Sequence, residues 1–240
     1  MNSFERSELL LGAEGLERLA LAHVGVFGIG GVGAFAAEAL ARSGVGALDL
    51  FDNDRVTQSN LNRQLIALHS TIGRKKVEVM AERIADINPH CIVRQHALFY
   101  DKETAGQIDL SGYDYIVDAI DTVSSKLELI VRAAQAGTPI ISAMGAGNKL
   151  DPTSFEVADI AETSMCPLAR VMRRELGKRG VKHLKTVYSK EPSRTPLYGR
   201  AQMDTTGRPV PGSVAFVPSV SGMILAGEVV KALALFDVRD

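Results

Sequence analysis

Short apolar runs alternate with segments of helical periodicity between residues 1 and 145. The apolar runs show little internal alternation, which is typical of strands buried on both faces of a sheet. This repeated order predicts an α/β fold with a mostly parallel sheet and helices on both faces. The predicted strands are His23–Gly28, Ala47–Asp52, Cys91–Ala97, Tyr113–Asp121 and Pro139–Gly145, and the predicted helices are the first twenty residues, Gly31–Gly44, Gly73–Pro89 and Lys126–Gly137.

The pattern changes after Gly145, where apolar and polar residues begin to alternate and proline becomes frequent. We therefore expect a C-terminal antiparallel and helical extension, residues 151–240, that is integrated into the same domain as residues 1–150. Its predicted elements are an antiparallel edge strand at Ser154–Ile160, a basic helix at Pro167–Gly180, a long loop at Lys185–Gly212 and a closing helix at Pro218–Phe236.

Composition favours a cytoplasmic protein with no membrane segment. The chain has 240 residues, 46% of them hydrophobic, which is enough for one substantial core. None of its apolar runs reaches the length of a membrane span, and charges occupy the N-terminal region where a signal peptide is apolar. Cys91 and Cys166 form no Cys-x-x-Cys pair, so neither a zinc ribbon nor a disulfide framework is available within one chain.

Charge is unevenly distributed along the chain, although its net value is −1. The segment from Arg170 to Arg208 holds eleven Lys and Arg against three Asp and Glu, a balance of +8, whereas the remainder holds 16 against 25, a balance of −9. Such a segment is either a solvated surface or a docking site for a polyanion such as RNA. Charge alone leaves both interpretations open.

The first predicted strand runs into the sequence GIGGVG, Gly28–Gly33, which fits the pattern Gly-x-Gly-x-x-Gly. Glycines at these positions allow a tight turn and let backbone N–H groups approach a phosphate at a helix N-terminus. Asp52 ends the second predicted strand, where an acidic side chain grips a ribose hydroxyl in such folds. A nucleotide site is therefore predicted, and an NAD-dependent oxidoreductase remains one candidate function.

The stretch DNDRVTQSNLNRQ, residues 52–64, carries far more polar side chains than a dinucleotide site needs. Amides can fix ribose and phosphate oxygens, and Arg63 with a lysine can neutralise a triphosphate. Asp118 and Asp121 lie at the carboxyl end of the fourth predicted strand, and a carboxylate there can hold Mg²⁺. The predicted ligands are thus ATP and Mg²⁺. The contributing polar residues are Asp52, Asn53, Asp54, Asn60, Asn62, Arg63, Gln64, Lys75 and Lys76.

These motifs, in this order and spacing, resemble those of the ThiF/MoeB superfamily of adenylating enzymes. The resemblance rests on GIGGVG, D-x-D-x-V-x-x-SNLNRQ, GRKK and DAID. It implies a Rossmann-like ATP-binding core in residues 1–150, with Asp121 as metal ligand and Arg6 donated by the second subunit of a homodimer. It further implies that Arg6, Arg63, Lys76 and Asp121 are catalytic and that Gly28, Gly30, Gly31, Gly33, Asp52, Asp54, Asn60, Arg63, Gln64 and Lys76 bind ATP.

The second half, from Ser142 to Gly180, resembles the branch of tRNA threonylcarbamoyladenosine dehydratases. That branch implies ATP-dependent cyclisation of a modified adenosine at tRNA position 37 through an acyl-adenylate. Activation of a ubiquitin-like sulfur carrier is the alternative function, a sulfur-transfer protein is a candidate partner, and a silent RNA-binding module is a further rival. The residues expected to contact the tRNA backbone are Arg170, Arg173, Arg174, Lys178, Arg179, Lys182 and Lys185.

Two further features have less support from the sequence. Cys166 lies where related activating enzymes keep a thioester-forming cysteine, but no local signature marks it as a nucleophile, and an ordinary thiol near a helix start is the favoured interpretation. The glycine-rich segment Gly145–Asn148 is a candidate site for a monovalent cation or for the nucleotide.

Overall fold

A computed structural model describes residues 3–197 and 210–235, which form one seven-stranded sheet with helices on both faces. The strand order is β3-β2-β1-β4-β5-β7-β6, and only the pairing of β6 with β7 is antiparallel. The predicted α/β fold with a mostly parallel sheet is confirmed. The strands are β1 His23–Phe27, β2 Ala47–Phe51, β3 Ile92–His96, β4 Tyr115–Asp118, β5 Ile140–Ala143, β6 Phe155–Asp159 and β7 Lys185–Ser189.

Six α-helices cover the sheet and bury three apolar clusters against it. The largest cluster lies on one face, where Leu40, Met80 and Leu225 come from three different helices. On the other face, Leu129 packs beside aromatic residues and Met172 belongs to a third cluster. The helices are α1 Glu5–Leu21, α2 Gly33–Arg42, α3 Lys76–Ile87, α4 Val123–Ala136, α5 Pro167–Gly177 and α6 Pro218–Ala234. No helix in the described ranges is long and apolar enough to cross a membrane.

Helix ends follow from local sequence. Gly137 caps α4 in the left-handed region, with φ of 71°, where a residue without Cβ is unstrained. The leading helix α1 contains a kink at Gly12, whose φ is 72°. Helix α4 begins at Val123, three residues before the predicted start, since the polar residues of its first turn obscure the helical pattern.

The predicted loop from Lys185 to Gly212 is wrong at its beginning, because residues 185–189 form strand β7. Two strands flank β7, with β5 parallel on one side and β6 antiparallel on the other. The run Thr186–Tyr188 is β-branched and aromatic, which favours a strand, but the prolines that follow dominate the sequence pattern. Residues 198–209 of the predicted loop lie outside the described residues.

The C-terminal residues share the core of the first half. Strands β6 and β7 belong to the same sheet as β1–β5, and α6 packs against α2. Their backbones approach so closely that a Cβ on Gly222 would lie 2.3 Å from the carbonyl oxygen of Val32. The predicted antiparallel edge strand is confirmed as β6, whereas Phe236 of the predicted closing helix lies outside the described residues.

Candidate functional site

The glycine loop, residues 28–33, connects the carboxyl end of β1 to α2 and requires glycine at both ends. Gly28 has a φ of 90°, and a Cβ there would lie 2.7 Å from the carbonyl oxygen of Ala119. A Cβ on Gly33 would lie 1.8 Å from the carbonyl oxygen of Gly28. Any larger side chain at either position would therefore open the turn that aims the loop at the start of α2.

The middle of the glycine loop is open in a way that suits a phosphate. A Cβ on Gly30 would meet nothing closer than the amide nitrogen of Gln64, at 3.8 Å. The described residues supply no acceptor for the backbone N–H groups of Gly30 and Gly31. Free N–H groups that precede a helix form a natural binding site for an anion.

Asp52 follows β2 and closes the loop from the side. One of its carboxylate oxygens accepts from the backbone N–H of Ile29 at 2.7 Å, and the other from that of Asp54 at 2.8 Å. Lys76, nearly buried at the start of α3, donates to Asp54 at 2.7 Å and lies 3.8 Å from Asp52. Burial raises the pKa of Asp52, and the nearby Lys76 ammonium limits that rise.

The polar stretch after Asp54 folds back beside the glycine loop. Asn60 is buried, and its side-chain oxygen accepts from the backbone N–H of Thr57, so it shapes the stretch. Gln64 is also buried, and its side-chain oxygen has no partner in the described structure. Arg63 is half-buried and donates to neutral oxygens of Ser59 and Asn62. A cationic group is thus left available beside the anion-binding loop.

Asp118 and Asp121, the two candidate metal ligands, differ in burial, and this difference shows which of them is accessible to an ion. Asp118 is fully buried, and its oxygens interact with Ser142, Lys126 and a backbone N–H. Asp121 is exposed, and its only contact in the described structure is a hydrogen bond from Thr122 at 3.3 Å. The described residues contain no group of three or more His, Cys, Asp or Glu arranged to hold a metal ion. Asp121 is therefore a single-carboxylate candidate.

Comparison with known proteins agrees with this geometry. The family model described as the ThiF family matches residues 4–239. This chain belongs to the ThiF family.

Close relatives share one name. The tRNA threonylcarbamoyladenosine dehydratase of Bacillus subtilis is 46% identical over 245 residues, which covers 97% of this chain and 95% of that protein. The Escherichia coli protein of the same name is 46% identical over 167 residues, covering 70% of this chain and 62% of that protein. The structure of E. coli TcdA in complex with ATP matches with a TM-score of 0.87 at 36% identity, covering 96% of this chain and 93% of that one.

The predicted trans-acting arginine of this ThiF-family chain lies on helix α1. Arg6 is exposed, and the same helix exposes Leu9 and Leu10, each by more than four-fifths of its surface. An apolar surface of this kind is typical of an interface. Donation of Arg6 in trans stays a prediction.

The seven predicted tRNA contacts do not all present free charges. The guanidinium of Arg173 donates to Thr163 and to the carbonyl oxygen of Ile160, which ties α5 to the turn before it. Lys185 pairs with Glu228 of α6. Three more basic residues converge on Glu175, and their hydrogen bonds lower the pKa of that carboxylate to about 2. These three are Lys178, Arg179 and Arg174.

Arg170 and Lys182 are exposed, and neither side chain forms a hydrogen bond or an ion pair within the described structure. Arg170 and Arg174 are one helical turn apart on α5, so they share a face. The expected RNA surface therefore reduces to the outer face of α5 and the turn after it, whereas Arg173 and Lys185 have structural partners.

Cys166 is buried immediately before α5, and its sulfur would lie 3.9 Å from a Cβ on Gly145. Burial agrees with the interpretation as an ordinary thiol. Cys91 is buried too, and burial raises its pKa to about 11. In the cation candidate, the two oxygens of Asn148 already accept from the backbone N–H groups of Gly212 and Arg194.

Sequence reasoning missed the buried ion pair beneath this site. Lys126 lies 2.8 Å from Asp118, and both side chains are fully buried. A lysine near a helix start is normally solvated, so the residue type of Lys126 predicts exposure and not burial. The one available signal is its spacing, because Lys126 shares a helix face with the buried residues Leu129, Ile130 and Ala133.

Proposed function

We propose that this protein uses ATP to dehydrate N6-threonylcarbamoyladenosine at position 37 of tRNA, closing the side chain into a ring. The observation that carries the proposal is the 46% identity to the B. subtilis dehydratase over 97% of the chain. The open glycine loop flanked by Asp52 and Arg63 is the local geometry that this chemistry needs. Complexes of E. coli TcdA with ATP and with AMP, 36% identical to this chain, support the choice of nucleotide.

The proposed reaction has two steps that balance in atoms and electrons. First, an oxygen of the threonylcarbamoyl carboxylate attacks the α-phosphorus, the bond to the bridging oxygen breaks, and pyrophosphate leaves. Second, a nucleophilic atom of the carbamoyl group attacks the activated carbonyl carbon and gives up its proton to solvent, and AMP leaves with the transferred oxygen. The modified nucleoside thereby loses one water overall.

Residues around the glycine loop have separate roles in this scheme. The N–H groups of Gly30 and Gly31 hold phosphate oxygens at the start of α2. The carboxylate of Asp52, which here accepts from the backbone N–H of Ile29, would accept from a ribose hydroxyl of bound ATP. Lys76 and Arg63 neutralise the charge that develops as pyrophosphate departs. Gln64 offers a buried amide oxygen that lacks a donor. The enzyme supplies position and charge, which dominate phosphoryl chemistry.

We extend the proposal to Mg²⁺, for which Asp121 is the protein ligand. An exposed carboxylate without a cationic partner in the described structure fits an ion that takes its remaining ligands from phosphates and water. When bound, the ion would neutralise charge on the departing pyrophosphate. A monovalent cation at residues 145–148 remains a prediction that the hydrogen bonds to Asn148 do not favour.

The partners follow from the same proposal. The outer face of α5 is the proposed contact for the tRNA backbone, and a homodimer formed partly through α1 would bring Arg6 to the partner's site. We propose that the enzyme acts in the cytoplasm, on tRNA. A sulfur-transfer protein partner remains a prediction with no support from contacts.

Sulfur-carrier activation is the weaker alternative. The sulfur-transfer relatives match less of the chain, as with the Vanderwaltozyma polyspora adenylyltransferase and sulfurtransferase, which is 36% identical over 58% of this chain and 31% of that protein.

Mass spectrometry of tRNA nucleosides tests the proposed function. Purified protein, ATP and Mg²⁺ are incubated with tRNA that carries threonylcarbamoyladenosine, and parallel samples omit ATP or contain the Asp121→Ala variant. We expect the nucleoside to lose one water only in the complete wild-type reaction. An unchanged nucleoside, from protein that is folded and binds ATP, would rule out the proposal.

A further inference from the structure

The carboxylate of Asp118 joins three structural elements beneath the proposed ATP site. It ends β4, accepts from the hydroxyl of Ser142 in β5 at 2.6 Å and lies 2.8 Å from the ammonium of Lys126 in α4. Asp118, Ser142 and Lys126 are all fully buried. Burying two charges costs solvation free energy, and apolar pairs of similar volume are often equally stable. Stability alone is therefore a weak reason for this ion pair.

The second oxygen of Asp118 reaches the loop that carries Asp121. It accepts from the backbone N–H of Ile120 at 3.2 Å. On the other side of the loop α4 begins, and its first turn includes the bond from the backbone N–H of Lys126 to the carbonyl oxygen of Thr122 at 3.0 Å. Asp121 thus lies between Ile120, whose N–H the buried carboxylate of Asp118 holds, and the first turn of α4, which carries Lys126.

The same loop touches the glycine loop. The backbone N–H of Ala119 donates to the carbonyl oxygen of Phe27 at 2.8 Å. A Cβ on Gly28 would lie 2.7 Å from the carbonyl oxygen of Ala119, and one on Gly33 would lie 3.1 Å from its Cβ. A shift of residues 119–121 therefore changes the separation between Asp121 and the loop proposed to hold phosphate.

We propose that Asp118 is a positioning residue whose buried carboxylate, neutralised by Lys126, accepts from the backbone N–H of Ile120 and so sets the location of Asp121 relative to the glycine loop. This inference rests on the proposed function, since it gives Asp121 its task at the metal. Neither Asp118 nor Lys126 touches the nucleotide in this scheme. Asp118 supplies the acceptor, Lys126 neutralises it, and Ser142 fixes its orientation.

Two matched double variants separate positioning from stability. Asp118→Asn with Lys126→Met removes both charges but keeps an amide oxygen for Ile120 and a donor for Ser142. Asp118→Leu with Lys126→Met also removes both charges, but leaves the N–H of Ile120 without an acceptor. If the leucine variant does not fold, Asp118→Val with Lys126→Met is a second acceptor-free variant with a side chain that suits a strand.

Binding of ATP is measured by calorimetry with Mg²⁺ and with EDTA, and hydrogen exchange is followed at the amide of Ile120. The ratio of ATP affinity with Mg²⁺ to that with EDTA should be at least about tenfold smaller in the leucine variant than in wild type. The physical reason is that misplacing one contact by about 1 Å can cost 10²-fold. The affinity of the leucine variant in EDTA should stay within about threefold of wild type, the amide of Ile120 should exchange faster, and the asparagine variant should resemble wild type.

Two outcomes would overturn the inference. If both double variants keep the full effect of Mg²⁺, the acceptor at residue 118 does not position Asp121. If the acceptor-free variant loses ATP affinity equally with and without Mg²⁺, the pair is merely structural. Failure of the proposed function is distinguishable, because it would appear in the wild-type protein as no loss of water from the nucleoside or no ATP binding at all.

Discussion

At the scale of single residues, the half-buried Arg63 and the exposed Asp121 are the two charges proposed to act on the triphosphate and its metal. Neither makes an ion pair within the described structure. We predict that Arg63→Ala or Asp121→Ala slows AMP formation by about 10²–10³-fold, the usual effect of losing one preorganised electrostatic contact. Asp86→Ala, at an exposed site on α3, is the control. A loss under tenfold with intact folding would contradict the assigned roles.

A second group of residues makes a network unrelated to the nucleotide. The buried carboxylate of Asp49 contacts His23 at 2.7 Å, His96 at 2.9 Å and the Tyr113 hydroxyl at 3.0 Å, with Arg94 at 3.2 Å. Burial alone would raise the pKa of Asp49, but these hydrogen bonds outweigh it and lower the pKa. His23 and His96 both contact this buried carboxylate, which gives the two histidines a structural role.

Because the folded-state pKa of Asp49 is lowered, its contribution to stability is present above the ordinary value of 3.8 and is lost as pH falls through the folded value. Asp49→Asn should therefore lower the free energy of unfolding by about 1.5–3 kcal/mol at neutral pH. Urea unfolding of both proteins should show the difference persisting at pH 5 and narrowing only below the ordinary value. A difference that vanishes at pH 5 would contradict this prediction.

Sequence indicates which polar residues gather beside the glycine loop, because their types report their chemistry directly, whereas their roles stay predictions. Glycines in GIGGVG and the polar stretch after Asp52 meet in the structure as expected. Lys126 escaped prediction because a lysine is normally solvated, and its burial depends on an aspartate eight residues earlier that only the fold brings near.

At the scale of elements, α5 carries the proposed tRNA contact. Charge reversal at Arg170, Arg174 and Lys182 should weaken tRNA binding, and the dependence of log Kd on log salt should fall by about one unit per lost phosphate contact. Lys102→Glu, at an exposed site on another loop, is the matched control. Filter binding at several salt concentrations makes the measurement. Unchanged affinity and slope would show that tRNA docks elsewhere.

Arg173 explains why the residues for that experiment differ from the full predicted set. Its guanidinium holds the turn at Ile160–Thr163, so reversing its charge would disturb the fold as well as the surface.

Strand β7 was missed in the sequence because a strand of five residues beside proline-rich sequence has little local signal. Its place is fixed by pairing with β5 and β6, which are distant in sequence.

At the scale of the whole molecule, the predicted homodimer makes each site depend on two chains. Arg6→Ala and Asp121→Ala proteins should each be nearly inactive, whereas their heterodimer should have one site with both residues intact. After mixing and exchange of subunits, activity should recover to about a quarter of wild type. Activity that stays at the mean of the two variants would contradict donation of Arg6 in trans.

The central claim is that the tRNA carboxylate attacks the α-phosphorus of ATP and leaves its oxygen on AMP. The most direct measurement uses tRNA whose threonylcarbamoyl carboxylate carries ¹⁸O, followed by mass spectrometry of the nucleotide products. We predict one ¹⁸O in AMP and none in pyrophosphate. Recovery of the label in inorganic phosphate with ADP, or in water with unlabelled AMP, would contradict the acyl-adenylate.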